Sequence, residues 1–444
     1  MRVLDLNTLW IDGGEGGVNT YLVEKARWLA NSSVLKGRKI QHVIVVPGSR
    51  SERSRIGNST VHTLESPSLP GNPQHRVIID YSRVRAILQA ERPDVVEVDS
   101  SYLLGHMAAR ALRDRPFALI GFYHVHLPRL YTRAGRSWLR TSLARQTEEF
   151  SWRYARYCVR PCDCVVVATH DLHDRLQPRS FPPLEIVPLG VNLELFRPRA
   201  NGIRPHFPGI DPTRPVVLYV GRLGREKDLQ VLFDAHAKIE SELGAQLLLA
   251  GDGPLRHRAE RLARSRRGVV CTGICPYGER LAELYRAADV LAVPGRNETF
   301  SLIVLEAWAS GLPVVAANEG GPSELLRGVE GALAQAGDSK DFAAKLRLAL
   351  ERSRKGSPLA CHRALAGYSW ESTFTRLLEV YESVLHRKHR VAEALELEPL
   401  DIKPAAQLSN TTALENLCHY DILGTTKLSI WHPATRLIRD MIVS

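Results

Sequence analysis

The 444-residue sequence has no run of about 18 apolar residues, which excludes a helix that crosses a bilayer. Its first residues, Met1-Arg2-Val3-Leu4-Asp5-Leu6-Asn7, lack a long apolar core and place an acid inside the first apolar stretch, so no secretory signal is expected there. Cysteine is sparse: seven residues form an odd, scattered set. That argues against a disulfide framework and for a reducing cytoplasm. Cys158-x3-Cys162-x-Cys164 is too cramped, and too short of a fourth ligand, for a zinc site.

What is present is ordinary globular composition, 44% hydrophobic and 24% charged, which excludes disorder, collagen and coiled coil for the bulk of the chain. Single cores stop growing near about 250–300 residues, so two domains are expected. Net charge is +11 and unevenly spread. Residues 1–200 hold 28 Lys and Arg against 19 Asp and Glu, whereas the remainder holds 31 against 29. The densest basic part is Arg129–Arg160, where Arg129, Arg133, Arg136, Arg140, Arg145, Arg153, Arg156 and Arg160 face only Glu148 and Glu149.

Short Val- and Ile-rich runs alternate with helical stretches. In the first half they are Val3–Leu6, His42–Val46, Val95–Val98, Phe117–Phe122 and Val165–Ala168. In the second they are Val216–Val220, Leu247–Ala250, Val269–Cys271, Val290–Val293 and Val314–Ala316. Continuous apolar runs this short suit strands buried on both faces, as in parallel sheets under helices. Amphipathic stretches such as Asn19–Leu29 and Leu229–Glu240 supply the cover. The alternation occurs twice, which predicts two doubly wound α/β domains facing across a cleft, residues 1–200 and 211–370. Five prolines and two glycines between Phe196 and Pro215 mark the joint. Trp370–Leu385 reads as a long helix, and residues 391–444 show no clear period.

Three loops carry chemistry. The segment from Asp289 runs strand, polar loop Gly295-Arg296-Asn297-Glu298, then a helix through Ser301–Ala309 that stops at Gly311 before Pro313. Ser301 suits the helix cap, and Thr299-Phe300-Ser301-Leu302 offers free amides for an anion. Glu306 sits among Val304, Leu305, Ala307 and Trp308 and needs a partner or ligand, since a buried lone charge is costly. Taken alone, it is more simply a salt-bridged helix residue. The second loop, Gly221-Arg222-Leu223-Gly224-Arg225-Glu226-Lys227, places two cations beyond a strand end, where they fit a diphosphate. Gly251-Asp252-Gly253-Pro254 turns at the same rim. The third loop, Gly13-Gly14-Glu15-Gly16-Gly17, allows close backbone approach, yet is equally a plain tight turn.

Taken together in this order, Gly221-Arg222-Leu223 with Glu226-Lys227, Gly251-Asp252-Gly253-Pro254, and Glu298-x7-Glu306 closing on Gly311-x-Pro313-Val314-Val315 resemble a family 4 retaining glycosyltransferase over residues 2–385. The resemblance implies a GT-B fold of two Rossmann-like domains, with a nucleotide-sugar donor held mainly by the second. It implies transfer of a hexose with retained anomeric configuration, with no metal and no other cofactor. On it, Arg222 and Lys227 match the diphosphate-holding pair, Glu306 the ribose-binding Glu, and Glu298 the Glu facing the donor sugar. The amides of Phe300, Ser301 and Leu302 match the loop on sugar and phosphate, and Gly16 and Gly17 the first-domain loop that closes on the phosphates. His124 matches a His near the donor sugar, with His126 a competitor two residues on. The helix at 371–390 matches one that crosses back to the first domain, and the tail 391–444 lies outside the match. Thr299 and Ser301 stand where the family often has Gly, which bears on sugar preference.

The acceptor implied is a lipid-linked or polysaccharide-precursor glycan. For Arg129–Arg160 three readings stay open: a solvated helix face, a surface for anionic lipid with aromatics such as Trp138, Phe150 and Trp152 interleaved, and a site for a phosphorylated or acidic glycan. Nothing resembles a nucleic-acid module, so nucleic acid is not an expected partner. The expected location is cytoplasmic, peripheral at the inner membrane face. Two other functions fit the same motifs: a nucleotide-sugar epimerase-type enzyme, and a nucleotide-sugar-binding protein without catalysis.

Overall fold

All ten apolar runs coincide with strands, Phe117 and Ala168 lying one residue outside theirs, and the strands form two open sheets. In this computed structural model the described residues are 1–11, 16–31, 34–35, 38–69, 72–99, 102–126, 128, 141–199, 203–327, 332–354 and 365–397. The first-half strands are β1 (Arg2–Leu6), β2 (Val34–Leu35), β3 (Arg38–Lys39), β4 (Gln41–Gly48), β5 (Glu52–Ile56), β6 (Ser59–Glu65), β7 (Ser68–Leu69), β8 (Asn72–Arg76), β9 (Val95–Asp99), β10 (Ala118–Phe122), β11 (Cys164–Val167) and β12 (Leu184–Ile186). Eight of them make one sheet in the order β12-β11-β10-β9-β1-β4-β6-β5. Only β5 runs antiparallel, pairing with β6 as an edge hairpin. The second sheet, β15-β14-β13-β16-β17-β18, is wholly parallel. Its strands are β13 (Val216–Val220), β14 (Gln246–Ala250), β15 (Val269–Gly273), β16 (Val290–Val293), β17 (Val314–Ala317) and β18 (Ala332–Ala334).

The covering helices are α1 (Gly17–Asn31), α2 (Tyr81–Glu91), α3 (Leu104–Ala111), α4 (Thr141–Val159), α5 (His170–Leu176), α6 (Leu229–Leu243), α7 (Arg256–Ser265), α8 (Glu279–Ala287), α9 (Leu302–Ala309), α10 (Gly321–Leu325), α11 (Ser339–Arg354) and α12 (Trp370–Leu397). Every residue of β9, β10 and β14 is buried, as strands covered on both faces require. Each such Val, Leu or Ile contributes about 1.5–3 kcal/mol by leaving water. The described residues of the proline-rich joint, 196–199 and 203–215, contain no helix or strand.

Open α/β sheets bind ligands where the strand order reverses. Strand order reverses between β13 and β16 in the second sheet, so the loops after these two strands diverge and leave a crevice. Those loops are the ones that begin at Gly221 and Pro294. In the first sheet β1 lies at the corresponding reversal, between β9 and β4.

Helix α12 is longer than its sequence pattern shows. It continues to Leu397, seven residues into the stretch read as unpatterned tail; residues 398–444 lie outside the described ones. The helix lies against the first domain: Arg376 Nε donates to the carbonyl of Ile186 at 2.8 Å, and Lys388 pairs with Asp163 at 2.9 Å. Its start is fixed by Gly190, where an added Cβ would stand 2.3 Å from the Trp370 nitrogen. Trp370 stacks on Phe374 at 5.3 Å, and Phe374 packs against Tyr21 and Trp28 of α1.

Candidate functional site

The loop after β13 is built by close backbone packing. Gly221 has φ +139°, and a Cβ on Gly251 would come 1.9 Å from the Gly221 carbonyl oxygen, so neither turn has room for a side chain at that contact. Leu223 N donates to Asp252 O at 2.8 Å and Leu255 N to Leu223 O at 2.8 Å, which locks the two turns together. Tyr219 OH donates to Arg222 O at 2.8 Å. On this frame Lys227 Nζ donates to Glu298 Oε1 at 2.6 Å. Arg222 does not join that pair: its Nη1 donates to Glu226 Oε1 at 2.5 Å.

The loop carrying Glu298 is held from below by Gly320 and Gly321, two residues the sequence reading did not single out. Gly321 N donates to Glu298 O at 2.9 Å. A Cβ on Gly320 would lie 2.8 Å from Glu298 O, and one on Gly321 2.6 Å from Phe300 Cα. The Gly-Gly pair that follows β17 after two intervening residues was the available signal.

Helix α9 starts at Leu302, but not as expected. Ser301 stands at the cap with φ +86°, makes no side-chain capping bond, and its buried Oγ has no partner within the protein. A left-handed Ser holds strain of order 1–3 kcal/mol where glycine holds none, so the helix start survives by packing rather than by a cap. Both side-chain amide atoms of Asn297 are likewise buried without a protein partner. One turn into α9, Glu306 is buried and accepts a bond from Tyr285 OH at 2.6 Å. Burial pushes its carboxyl up to about 7, against the smaller opposing pull of that hydroxyl. Tyr285, on α8, was not foreseen: it reads as an ordinary core aromatic and packs edge-on against Phe196.

The first domain supplies the other wall. His124 follows β10, stacks on Phe122 at 4.2 Å with rings 2° from parallel, and lies 5.4 Å from Tyr21. Burial and, next, the nearby Lys25 lower its imidazole to about 3, so it is neutral, and its Nε2 has no protein partner. Its backbone carbonyl accepts from Thr299 Oγ1 at 2.8 Å, which joins it to the Glu298 loop. His126 turns away, meeting Tyr123 OH through Nδ1 at 3.2 Å and the Trp152 ring. Gly16 has φ +95°, and Gly17 opens α1 so near α9 that its Cβ would stand 3.5 Å from Leu302 Cδ1. Residues 12–15 lie outside the described ones. His75, also unforeseen, has a buried, unpartnered Nδ1, and burial followed by the facing Arg222 lowers its imidazole.

Contacts thus join Lys227 to Glu298, Gly17 to Leu302 and, through Thr299, His124 to the Glu298 loop, which runs through Phe300 and Ser301 into the helix of Glu306; Gly16 precedes Gly17, and Arg222 is turned to Glu226. Cys158, Cys162 and Cys164 are all buried, their thiols raised by burial, and among the described residues no three His, Cys, Asp or Glu are grouped to hold a metal. Of the basic stretch, Arg129, Arg133, Arg136 and Arg140 lie outside the described residues, as does Trp138. Arg145, Arg153, Arg156 and Arg160 are exposed, with Phe150. Trp152 faces inward instead, under Arg179 and beside Phe181. No helix among the described residues is long and apolar enough to cross a membrane.

Known proteins share both the sequence pattern and the fold. Residues 15–195 match the model described as Glycosyltransferase Family 4, and residues 214–352 that described as Glycosyl transferases group 1. The chain is 29% identical to the sulfoquinovosyl transferase of Arabidopsis thaliana over 64% of its own length and 56% of that protein's. It is 28% identical to a GDP-mannose-dependent alpha-(1-6)-phosphatidylinositol dimannoside mannosyltransferase of Mycobacterium tuberculosis, over 76% of its own length and 86% of that protein's. Among solved structures, sucrose-phosphate synthase from Thermosynechococcus elongatus superposes with a TM-score of 0.70 at 21% identity, covering 87% of this chain and all of that one. The chain belongs to glycosyltransferase family 4 and has the GT-B fold.

Proposed function

We propose that the protein transfers a hexose from a nucleoside-diphosphate sugar to a lipid-linked glycan acceptor, with retention at the anomeric carbon. The observation that carries this is the Lys227–Glu298 pair, 2.6 Å apart, on a loop that also bonds neutral His124 and leads into the helix of buried Glu306. Lys227 and Arg222 bind the diphosphate as it gains charge on leaving, a preference for the transition state that accelerates the step. Glu306 accepts from the ribose hydroxyls. Glu298, oriented by Lys227, faces the sugar, and His124 offers a neutral imidazole to a sugar hydroxyl. The unpartnered atoms of Asn297, Ser301 and His124 supply further polar contacts for a bound sugar and phosphate. The C–O bond to phosphate breaks as the bond to the acceptor oxygen forms on the same face, and the acceptor proton passes to the departing diphosphate. The mycobacterial relative is named for a phosphatidylinositol glycolipid, which supports a lipid acceptor and makes GDP-mannose the first donor to try. The exposed arginines of α4 and Arg160 would sit against an anionic surface.

The test is product analysis by NMR with GDP-mannose or UDP-glucose and a glycolipid acceptor in vesicles. An α-linked product, formed faster on anionic than on zwitterionic vesicles, is expected. A β-linked product overturns retention; an altered nucleotide sugar without transfer points to an epimerase; binding without turnover removes catalysis.

The raised Glu306 carboxyl has a signature of its own. Ribose hydroxyls donate best to the carboxylate, so nucleotide binding draws the group toward ionisation and releases protons. Affinity for nucleoside diphosphate should therefore weaken as pH falls below about 7, toward about tenfold per unit. Calorimetry in buffers of different ionisation enthalpy measures the released proton, and Glu306→Gln should abolish the dependence. In the protein without nucleotide the sign is opposite. A folded pKa raised from 4.5 to about 7 means this group's favourable contribution to stability is complete below 4.5 and is lost as pH rises to about 7.

A further inference from the structure

The two domains are fastened beside the cleft by a side chain outside the machinery described above. Glu324, on α10 of the second domain, directs Oε1 to the backbone N–H of His170 at 2.9 Å and Oε2 to that of Asp171 at 2.8 Å. These are the first two residues of α5 in the first domain. A carboxylate taking two amides at a helix start makes charge-assisted bonds with the positive end of that helix. Two weaker threads run alongside: Thr169 Oγ1 to Thr299 O at 3.4 Å, and Thr299 Oγ1 to His124 O at 2.8 Å. The helix that carries Glu324 is also the one whose Gly321 N–H holds the Glu298 carbonyl at 2.9 Å. The grip on the first domain and the support under Glu298 are thus three residues apart on one short rigid element.

We propose that Glu324 is a positioning residue, an interdomain latch whose engagement with α5 sets Glu298 and Lys227 in register with His124. The inference rests on the transferase reading of that cleft. Glu324 is part-exposed, so water replaces the two amides when the domains part, and the latch can open to release products. It touches neither donor nor acceptor; it acts through α10.

Three variants test this in the full chain: Glu324→Gln, which keeps size and loses charge and one acceptor; Glu324→Ala; and His170→Pro from the opposite domain. Proline is accepted at the first position of a helix, and Thr169 before it is already extended, so His170→Pro removes one amide donor without breaking α5. Expected results are nucleoside-diphosphate affinity within about twofold of wild type, kcat for transfer about tenfold to a hundredfold lower in both Glu324 variants, and more donor hydrolysed per transfer. His170→Pro should show a smaller loss that is not additive with Glu324→Gln. Small-angle scattering with nucleotide bound should show a larger radius of gyration for Glu324→Ala than for wild type. Unchanged kcat and hydrolysis ratio in both Glu324 variants overturns the latch. So does a loss of nucleotide binding in step with melting temperature, which marks a merely structural role. If the wild type binds nucleotide but transfers nothing, the transferase reading fails, and scattering alone decides the latch: an equal radius in wild type and Glu324→Ala ends it.

Discussion

Lys227→Ala is expected to cut kcat/KM for sugar transfer by about 10²–10³-fold, the loss seen when one preorganised charge or donor is taken from the place where negative charge develops. The side chain has two duties here. Its ammonium meets the diphosphate, and it holds Glu298 Oε1 at 2.6 Å. Removing it leaves a carboxylate beside the leaving diphosphate with nothing to offset its charge, so the variant should be worse than loss of a cation alone implies. Two further measurements separate the duties. Nucleoside diphosphate should raise the melting point of wild type more than nucleoside does, and Lys227→Ala should lose most of that difference. Adding Glu298→Gln to Lys227→Ala should recover part of the diphosphate binding but not transfer, because the repulsive charge is gone while the cation is still missing. Transfer at the wild-type rate in Lys227→Ala would remove the assignment of this cleft as the donor site.

What the sequence made legible is what local pattern determines. Continuous Val, Ile and Leu runs of four or five residues mark strands buried on both faces, whatever packs on them. The spacing of Glu298 and Glu306 across a strand–loop–helix turn likewise travels with the chain. What was not legible depends on partners distant in sequence. The edge hairpin of β5 and β6 was missed because Glu52-Arg53-Ser54-Arg55 is polar on both faces, as an exposed edge strand is. Tyr285 shows no sign of its bond to Glu306, 21 residues away. The capping role expected of Ser301 failed because the side-chain rule presumes an extended cap residue, and tertiary packing forces this one to φ +86°. Lys25 had a readable signal. It stands four residues from Tyr21 and from Leu29, on the buried face of α1, while Asp5 and Glu97 interrupt the apolar runs of β1 and β9. Three charges at core positions, taken together, predict a buried ion cluster.

That cluster sets the second large effect. Lys25 Nζ lies 2.6 Å from Asp5 Oδ1, 3.4 Å from Glu97 Oε2 and 2.9 Å from Tyr381 OH, all buried. Tyr21 OH donates to Glu97 Oε1 at 2.8 Å, Tyr381 OH also bonds Glu97, and His42 Nε2 meets Asp5 Oδ2 at 2.7 Å. Burial would push Asp5 up, but Lys25 and His42 bring its carboxyl below the ordinary value; burial lifts Glu97 and Lys25 does not fully offset it; burial keeps His42 low. One cation therefore answers two carboxylates and, through Tyr381, ties α12 to α1, β1 and β9 within contact of His124. Lys25→Met keeps the length of the side chain and removes the charge, so about 3–5 kcal/mol of stability should go, read as a lower urea midpoint with unchanged slope. The pH dependence fixes the cause. Without Lys25, burial holds the Glu97 carboxyl above its ordinary value with no cation to offset it, and Asp5 keeps only His42. The Glu97 contribution is then fullest below about 4, where the acid is protonated in either state, and declines as pH rises through its raised folded pKa. The wild-type contribution of Asp5, whose folded pKa is lowered, runs the other way and is lost on acidification. Lys25→Met should thus be closest to wild type in acid and furthest from it near neutral pH. Adding Glu97→Gln should return part of the loss at neutral pH only. A deficit in Lys25→Met that stays constant from pH 4 to 8 would mean that packing, not charge, is what Lys25 contributes.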